Sequence, residues 1–284
     1  YEGMREAAQF GLPVAVHAES AETVQALTTR AIAAGRTGIR DFLESRPVQA
    51  EVDAIQRAAA MTLETGVKLH IVHVSSGRGV IAALEARARG ADISIETCPH
   101  YLFFTEEDLE RIGAPAKCAP PLRSPHERQA LWDALLKGGI DVVASDHSPA
   151  PAGMKRDANF FRIWGGIAGG QSTLAVLLTA GHHDRGLPLT RIAGLVAAWP
   201  ARRFNLAHKG SIAAGNDADL ILMDMAASYT LQKENLFQRH RLSPYIGQSF
   251  KGVVRQTLLR GQPIFVDDKI TASAPGKFVT APHP

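Results

Sequence analysis

The sequence predicts an α/β fold, a parallel sheet built from consecutive βα units, with a smaller β-rich appendage behind it. Three observations predict this. Short β-branched runs alternate with helical stretches from the start to about residue 150. Cap and turn residues punctuate the alternation where each helix should begin or stop. From about Ala218 the helical pattern gives way to strand-like runs joined by a tight turn.

The elements follow in chain order. Glu2 to Phe10 reads as helix and is ended by Gly11 and Pro13. Because the chain opens on Tyr1 inside this helix, a preceding segment is expected. Strands are expected at Pro13 to Ala18, Val67 to Val74, Ile93 to Thr97 and Ile140 to Ser145, with helices near Ala21 to Ala34, Val48 to Glu64 and Pro125 to Lys137. The last helix has the clearest start: Ser124 can cap it, Pro125 suits the first helical position and Glu127 can complete a capping box. Gly138 and Gly139 stop it. After Pro149 comes a Gly-rich loop, Trp164 to Gly170, and then two apolar helical stretches, Ser172 to Ala180 and Thr190 to Ala198. Asp219 to Met223, Gly252 to Leu259 and Pro263 to Val266 read as strands, with Arg260-Gly261-Gln262 as a turn. The tail Ala272 to Pro284 is expected to be loosely ordered.

Composition narrows the class of function. With 284 residues, 45% hydrophobic and 21% charged, the chain can bury a large core, which argues against disorder. Its 31 basic and 28 acidic residues are spread without a Lys/Arg block, so the +3 net charge gives no nucleic-acid face. No apolar run approaches the ~20 residues of a membrane span. Cys98 and Cys118 form no CxxC pair or disulfide framework, and no export leader opens the chain, so a reducing cytoplasm is expected.

His17, His73 and Asp146 each sit at or just after the C-terminal end of an expected strand. Side chains at that end of successive parallel strands converge, and imidazole with carboxylate suits a borderline divalent ion such as zinc. A lone histidine there is more often structural, and an Asp after a strand more often caps a helix or forms a turn. Three on successive strand ends favour ligation.

Four runs carry a resemblance: Val14-Ala15-Val16-His17-Ala18-Glu19, His70-Ile71-Val72-His73-Val74-Ser75, Glu96-Thr97-Cys98-Pro99-His100-Tyr101-Leu102 and Ala144-Ser145-Asp146-His147-Ser148-Pro149. Taken in this order they resemble the blocks of the cyclic amidohydrolases, a family that includes allantoinases, dihydroorotases and hydantoinases. The resemblance implies a metal-dependent hydrolase with a (β/α)8 TIM barrel, residues 1–208 being the C-terminal part of that barrel and 209–284 a β-sandwich appendage with the tail. It implies that His17 and His73 bind one of two divalent ions, zinc by that resemblance, with manganese, iron or cobalt also suited. Asp146 would bind the other ion and serve as general base. In the family a carboxylated lysine bridges the two. His70, on the opposite strand parity to His73, is then structural.

The loop Trp164-Gly165-Gly166-Ile167-Ala168-Gly169-Gly170-Gln171 and the segment His240 to Gly247 resemble the allantoinase branch most. That implies a cyclic ureide substrate and conversion of allantoin to allantoate, with hydantoinase or dihydropyrimidinase activity second and dihydroorotase third. By the same resemblance, backbone at Ala119, Gly165 and Gly166 grips the substrate. His100 is either a substrate-side group or a buried support, and His147 orients Asp146. Gly165 and Gly166 can also be read as a turn before a helix. Both cysteines are taken as buried packing residues. The family implies a homo-oligomer, a tetramer. Without catalysis, the chain would be an amidohydrolase-like scaffold.

The sequence departs from the family at two places. It contains no His-x-His, which the family carries on its first barrel strand, and no carboxylated lysine on a fourth. The four strands ending at His17, His73, His100 and Asp146 arrive roughly every 43 residues, and a closed barrel needs eight. The expectation is that the remaining strands and ligands lie upstream, and that these residues alone do not catalyse.

Overall fold

The computed structural model describes residues 1–271 and 275–280. Residues 272–274 and 281–284 lie outside it, and with them most of the expectation for the tail. The chain divides into two compact units, Tyr1–Thr173 with Gln238–Pro244, and Leu174–Phe237 with the described residues from Tyr245 onward.

The first unit carries a four-stranded parallel sheet in the order β1 (Pro13–Val16), β2 (Lys68–Ile71), β3 (Ile93–Thr97) and β4 (Val142–Val143). Sequential strands are spatial neighbours throughout, as right-handed βα crossovers produce. Leu69, Ile71, Ile93, Ile95, Val142 and Val143 are buried, so the central strands are covered on both faces and read as apolar runs. The helices are α1 (Glu2–Gln9), α2 (Ala21–Ala33), α3 (Ile39–Glu44), α4 (Val48–Thr65), α5 (Gly77–Ala88), α6 (Pro99–Phe103), α7 (Glu106–Ile112) and α8 (Pro125–Leu136).

Local chemistry sets their ends. Ser20 and Ser76 cap α2 and α5 by accepting the backbone N–H of Thr23 and Gly79 at 3.3 and 3.0 Å. Gly66 ends α4 in left-handed conformation at φ +71°. Ser124 caps α8 as expected, accepting from Glu127 N at 3.4 Å. The second half of that capping box is not made, because the Glu127 carboxylate instead accepts from Gly77 N and Arg78 Nε, both at 3.2 Å, and ties α8 to α5.

Helix α5 was not visible in the sequence pattern, since glycines at 77 and 79 lower helix propensity in its first turn. Packing requires both. A Cβ on Gly77 would lie 2.4 Å from Ala130 Cβ of α8, and one on Gly79 would lie 2.8 Å from the buried Glu51 carboxylate of α4.

The second unit holds a four-stranded antiparallel sheet, β5 (Leu220–Thr230), β6 (Ser249–Leu259), β7 (Gln262–Val266) and β8 (Lys269–Ile270). Arg260 and Gly261 form the two-residue turn between β6 and β7, with φ of +49° and +79°. The two expected apolar helices are present but change pitch part-way. Thr173–Val176 continues as a π-helix, Leu177–His183, and Leu189–Ala193 continues as Gly194–Ala198. In the second case Pro200 has no N–H to return to Val196, so the regular ladder cannot pass that point. Among the described residues no helix is long and apolar enough to cross a membrane.

Candidate metal centre and active site

His17 directly follows β1, His73 comes two residues after β2 and Asp146 three after β4. All three lie beyond the same end of the parallel sheet, as their position in the sequence predicts. The closest approach is between His17 Nδ1 and His73 Nε2, 2.9 Å apart, with the two rings edge to face at 4.7 Å between centroids. Two nitrogens on one tetrahedral zinc, each at ~2.0–2.1 Å, stand about 3.3 Å from each other. Opening the pair by a few tenths of an ångström would turn a hydrogen bond into shared coordination.

Electrostatics keep His73 in the form a metal needs. Burial, then the neighbouring His17, lowers its pKa, against a smaller opposing pull from the carboxylates of Asp146 and Glu96. A neutral imidazole has a lone pair to give. Asp146 acts on His73 through this field, but does not close a three-ligand group: among the described residues no three His, Cys, Asp or Glu side chains are gathered to hold an ion. The structure therefore brings two of the three candidates into contact and leaves the third beside them.

Supports beneath the pair were not found from sequence. Nε2 of His17 faces Glu19 Oε2 at 3.5 Å, and Glu19 is in turn gripped by Arg46. Burial works to raise the Glu19 pKa, yet His17, Arg46 and Arg123 together hold it below the usual value. With Nε2–H turned toward this carboxylate, Nδ1 of His17 presents its lone pair toward His73, the carboxylate–histidine arrangement that orients metal ligands. Under the His73 loop, buried Glu51 accepts from Ser75 N and Ser75 Oγ, both at 2.7 Å, and from Ser76 Oγ, while Arg123 Nε donates to Ser75 Oγ at 2.9 Å. The signal available in sequence was slight, a glutamate inside an amphipathic helix whose usual place is solvent.

His70 is structural as expected. Its ring is buried and bound to Ser94 Oγ at 2.7 Å and Glu96 Oε2 at 3.2 Å. His100 is also buried, its pKa pushed down to about 3 by burial and then by His73, and among the described residues neither ring nitrogen has a hydrogen-bond partner. His147 Nδ1 accepts Gly170 N–H at 3.0 Å and its backbone bridges Ile167, so the ring anchors the Gly-rich loop.

That loop separates its two glycines. Gly166 is buried and needs to be glycine because a Cβ would lie 2.6 Å from Ser148 Oγ. Its N–H donates to Lys117 O at 2.8 Å and its carbonyl accepts from Lys155 Nζ at 2.7 Å. Gly165 is exposed with open space where a side chain would be. Ala119, in the run from Lys117 to Arg123, is half-buried. Cys98 and Cys118 are free and buried as expected, and burial raises both thiols, Cys118 to about 12.

Residues 1–264 match the model of the amidohydrolase family. The chain belongs to that family. It is 64% identical over 279 residues to an allantoinase of Solibacter usitatus, covering 98% of this chain and 61% of that relative. An allantoinase of Rubrobacter xylanophilus is 53% identical over 279 residues, with 98% and 62% covered. Among solved structures, L-hydantoinase (dihydropyrimidinase) from Arthrobacter aurescens superimposes with a TM-score of 0.94 at 32% identity, covering 98% of this chain and 62% of that one. The chain thus spans about three-fifths of the length of the relatives it matches. Membership implies a metal-dependent hydrolase with a TIM-barrel-like fold, with which the four parallel strands agree, and a divalent metal ion. His17 and His73 fit such an ion as two of its donors.

Proposed function

We propose that the full-length protein opens the ring of allantoin by hydrolysis, giving allantoate. One observation carries the reading: two imidazole nitrogens 2.9 Å apart at the strand-end face of a chain 64% identical to an allantoinase. A divalent ion at these nitrogens supplies a water acidic enough to ionise near pH 7. His17 and His73 hold it, and Asp146 is the general base. As the water oxygen bonds to the ring carbonyl carbon, an Asp146 Oδ takes its proton. The same carboxyl returns that proton to the departing ring nitrogen when the C–N bond breaks, so one group serves both halves and atoms balance.

In this reading the backbone at Ala119 and Gly165 faces the substrate's imide edge, Gly166 fixes Gly165 in place, and His100 lies on the substrate side as a neutral imidazole. Two divalent ions, zinc suiting the imidazole and carboxylate donors, would supply this acidity, with His17 and His73 holding one and Asp146 the other, and a carboxylated lysine as further ligand would come from outside these residues. Residues 1–208 belong to the barrel and 209–284 to the appendage, whose antiparallel sheet forms one layer of a β-sandwich. The full protein is a cytoplasmic homo-oligomer, a tetramer.

The solved relatives favour a second reading. The structures that superimpose on this chain with TM-scores of 0.94 and 0.92 are hydantoinases also named dihydropyrimidinases. Steady-state assay of the metal-loaded full-length protein against allantoin, hydantoin, dihydrouracil and dihydroorotate separates the two. Highest kcat/KM on allantoin is expected, and preference for dihydrouracil would overturn the proposal.

A further inference from the structure

Lysine is almost never buried without a carboxylate beside it. Lys117 and Lys155 are only 3% and 8% exposed, and among the described residues neither is ion-paired. The charged and titratable groups facing them are Arg46 and each other for Lys117, and the Cys118 thiol with Lys117 for Lys155. Burial pushes both pKa values down to about 8, the like charges of Arg46 and Lys155 adding to the effect at Lys117.

Backbone carbonyls offset the burial. An ammonium has three N–H donors, and each of the two lysines finds three carbonyl oxygens. Lys117 Nζ donates to Phe160 O at 2.6 Å, Phe161 O at 3.3 Å and Ile163 O at 2.5 Å, and lies 4.6 Å from the ring centroid of Phe42. Lys155 Nζ donates to Ala114 O at 3.0 Å, Trp164 O at 3.0 Å and Gly166 O at 2.7 Å. Five of these six acceptors belong to residues 160–166. This stretch is irregular apart from one short turn, Phe160–Arg162, so no ladder satisfies its inward-facing carbonyls. The two lysines do so in its place.

Gly165 sits between two clamped neighbours. Trp164 O and Gly166 O both bind Lys155, while Gly166 N binds Lys117 O. We infer that Lys117 and Lys155 are positioning residues that fix segment 160–166 and thereby set the backbone which Gly165 presents to substrate. The inference rests on the reading of Gly165 as a substrate contact.

The test uses the metal-loaded full-length protein and its Lys155→Met and Lys155→Arg variants. Met keeps the length of the stem and removes every N–H, whereas Arg keeps donors and charge. Hydrogen exchange at the amides of 160–167 should speed up at least about tenfold in Lys155→Met, as loss of the charge-assisted hydrogen bonds to Trp164 O and Gly166 O implies. Amides of β1 to β3 should not change. KM for allantoin should rise about tenfold with kcat held within about threefold, and Lys155→Arg should recover part of both effects. If Lys155→Met does not fold, Lys155→Gln, which keeps two N–H donors, should give the same pattern at smaller amplitude.

Unchanged exchange would overturn the clamp. Faster exchange with unchanged KM would keep the clamp but overturn its role in positioning substrate through Gly165, as would equal losses of protection across the whole unit. Absence of allantoin turnover by the unsubstituted protein would instead sink the proposed function, and the exchange data would still decide the clamp.

Discussion

His73 and Asp146, at the exits of β2 and β4, hold φ of +42° and +43°, while Arg260, Asp267 and Asp268 in the antiparallel sheet hold +49°, +42° and +63°. The backbone conformation is the same and the reason for it is not. In the sheet, Leu259 pairs with Gln262 and Val266 with Lys269, so each pair of residues between them closes a two-residue hairpin. Such turns demand positive φ at both central positions if the strands are to keep their twist. No hairpin follows β2 or β4. There the left-handed residue swings the side chain out of strand alternation, at a cost on the order of 1–3 kcal/mol that the surrounding bonds must offset. Around His73 those bonds are visible: its N–H reaches Glu96 Oε1 at 3.4 Å, and the next turn is pinned by Glu51. Left-handed backbone with a turn to explain it is architecture. Without one, it marks a side chain that has been aimed.

The sharpest way to break this contrast is Asp146→Asn. Asn tolerates left-handed φ as well as Asp does, so the fold should persist while hydrolysis falls by ~10²–10⁴-fold, the share of a general base. Circular dichroism and single-turnover kinetics on the full-length enzyme check the two halves, and retained turnover would remove Asp146 from the chemistry. Glu19→Ala should act next most strongly, weakening metal binding by about 10–100-fold through the freed His17 ring. Chelator competition measures this directly, and unchanged affinity would mean that Glu19 does not orient His17. In the antiparallel sheet only stability should move. Gly261→Ala adds a Cβ that meets nothing closer than Ala218 Cβ at 4.0 Å, so its loss of about 1–2 kcal/mol would be backbone strain alone. Denaturant unfolding reads it, with metal affinity expected to stay unchanged.

Much of the site was legible because period and position survive without tertiary information. Ile93–Thr97 was read to the residue, and His17, His73 and Asp146 fell at strand exits because β-branched runs mark where parallel strands end. His70 was set aside by its parity against His73 only once the resemblance had made His73 a ligand, and the structure shows that His73 itself stands beyond the strand. The same signals missed α5, where the glycines that weaken the pattern are those that Ala130 and Glu51 require. They also gave no sign that the His147 ring accepts the N–H of a loop glycine 23 residues away.

Composition, pattern and spacing by themselves determined the α/β class, the antiparallel hairpin at the far end and the sheet end beyond which His17, His73 and Asp146 lie, since these follow from local propensity and from the geometry of successive parallel strands. Tertiary structure decided which nitrogen of each histidine turns inward, which glycine is held and which is open, and that two lysines are buried among carbonyls. Those outcomes depend on what lies opposite each side chain after the chain has closed, where burial makes an unsatisfied polar group costly, and no local run of residues carries that information.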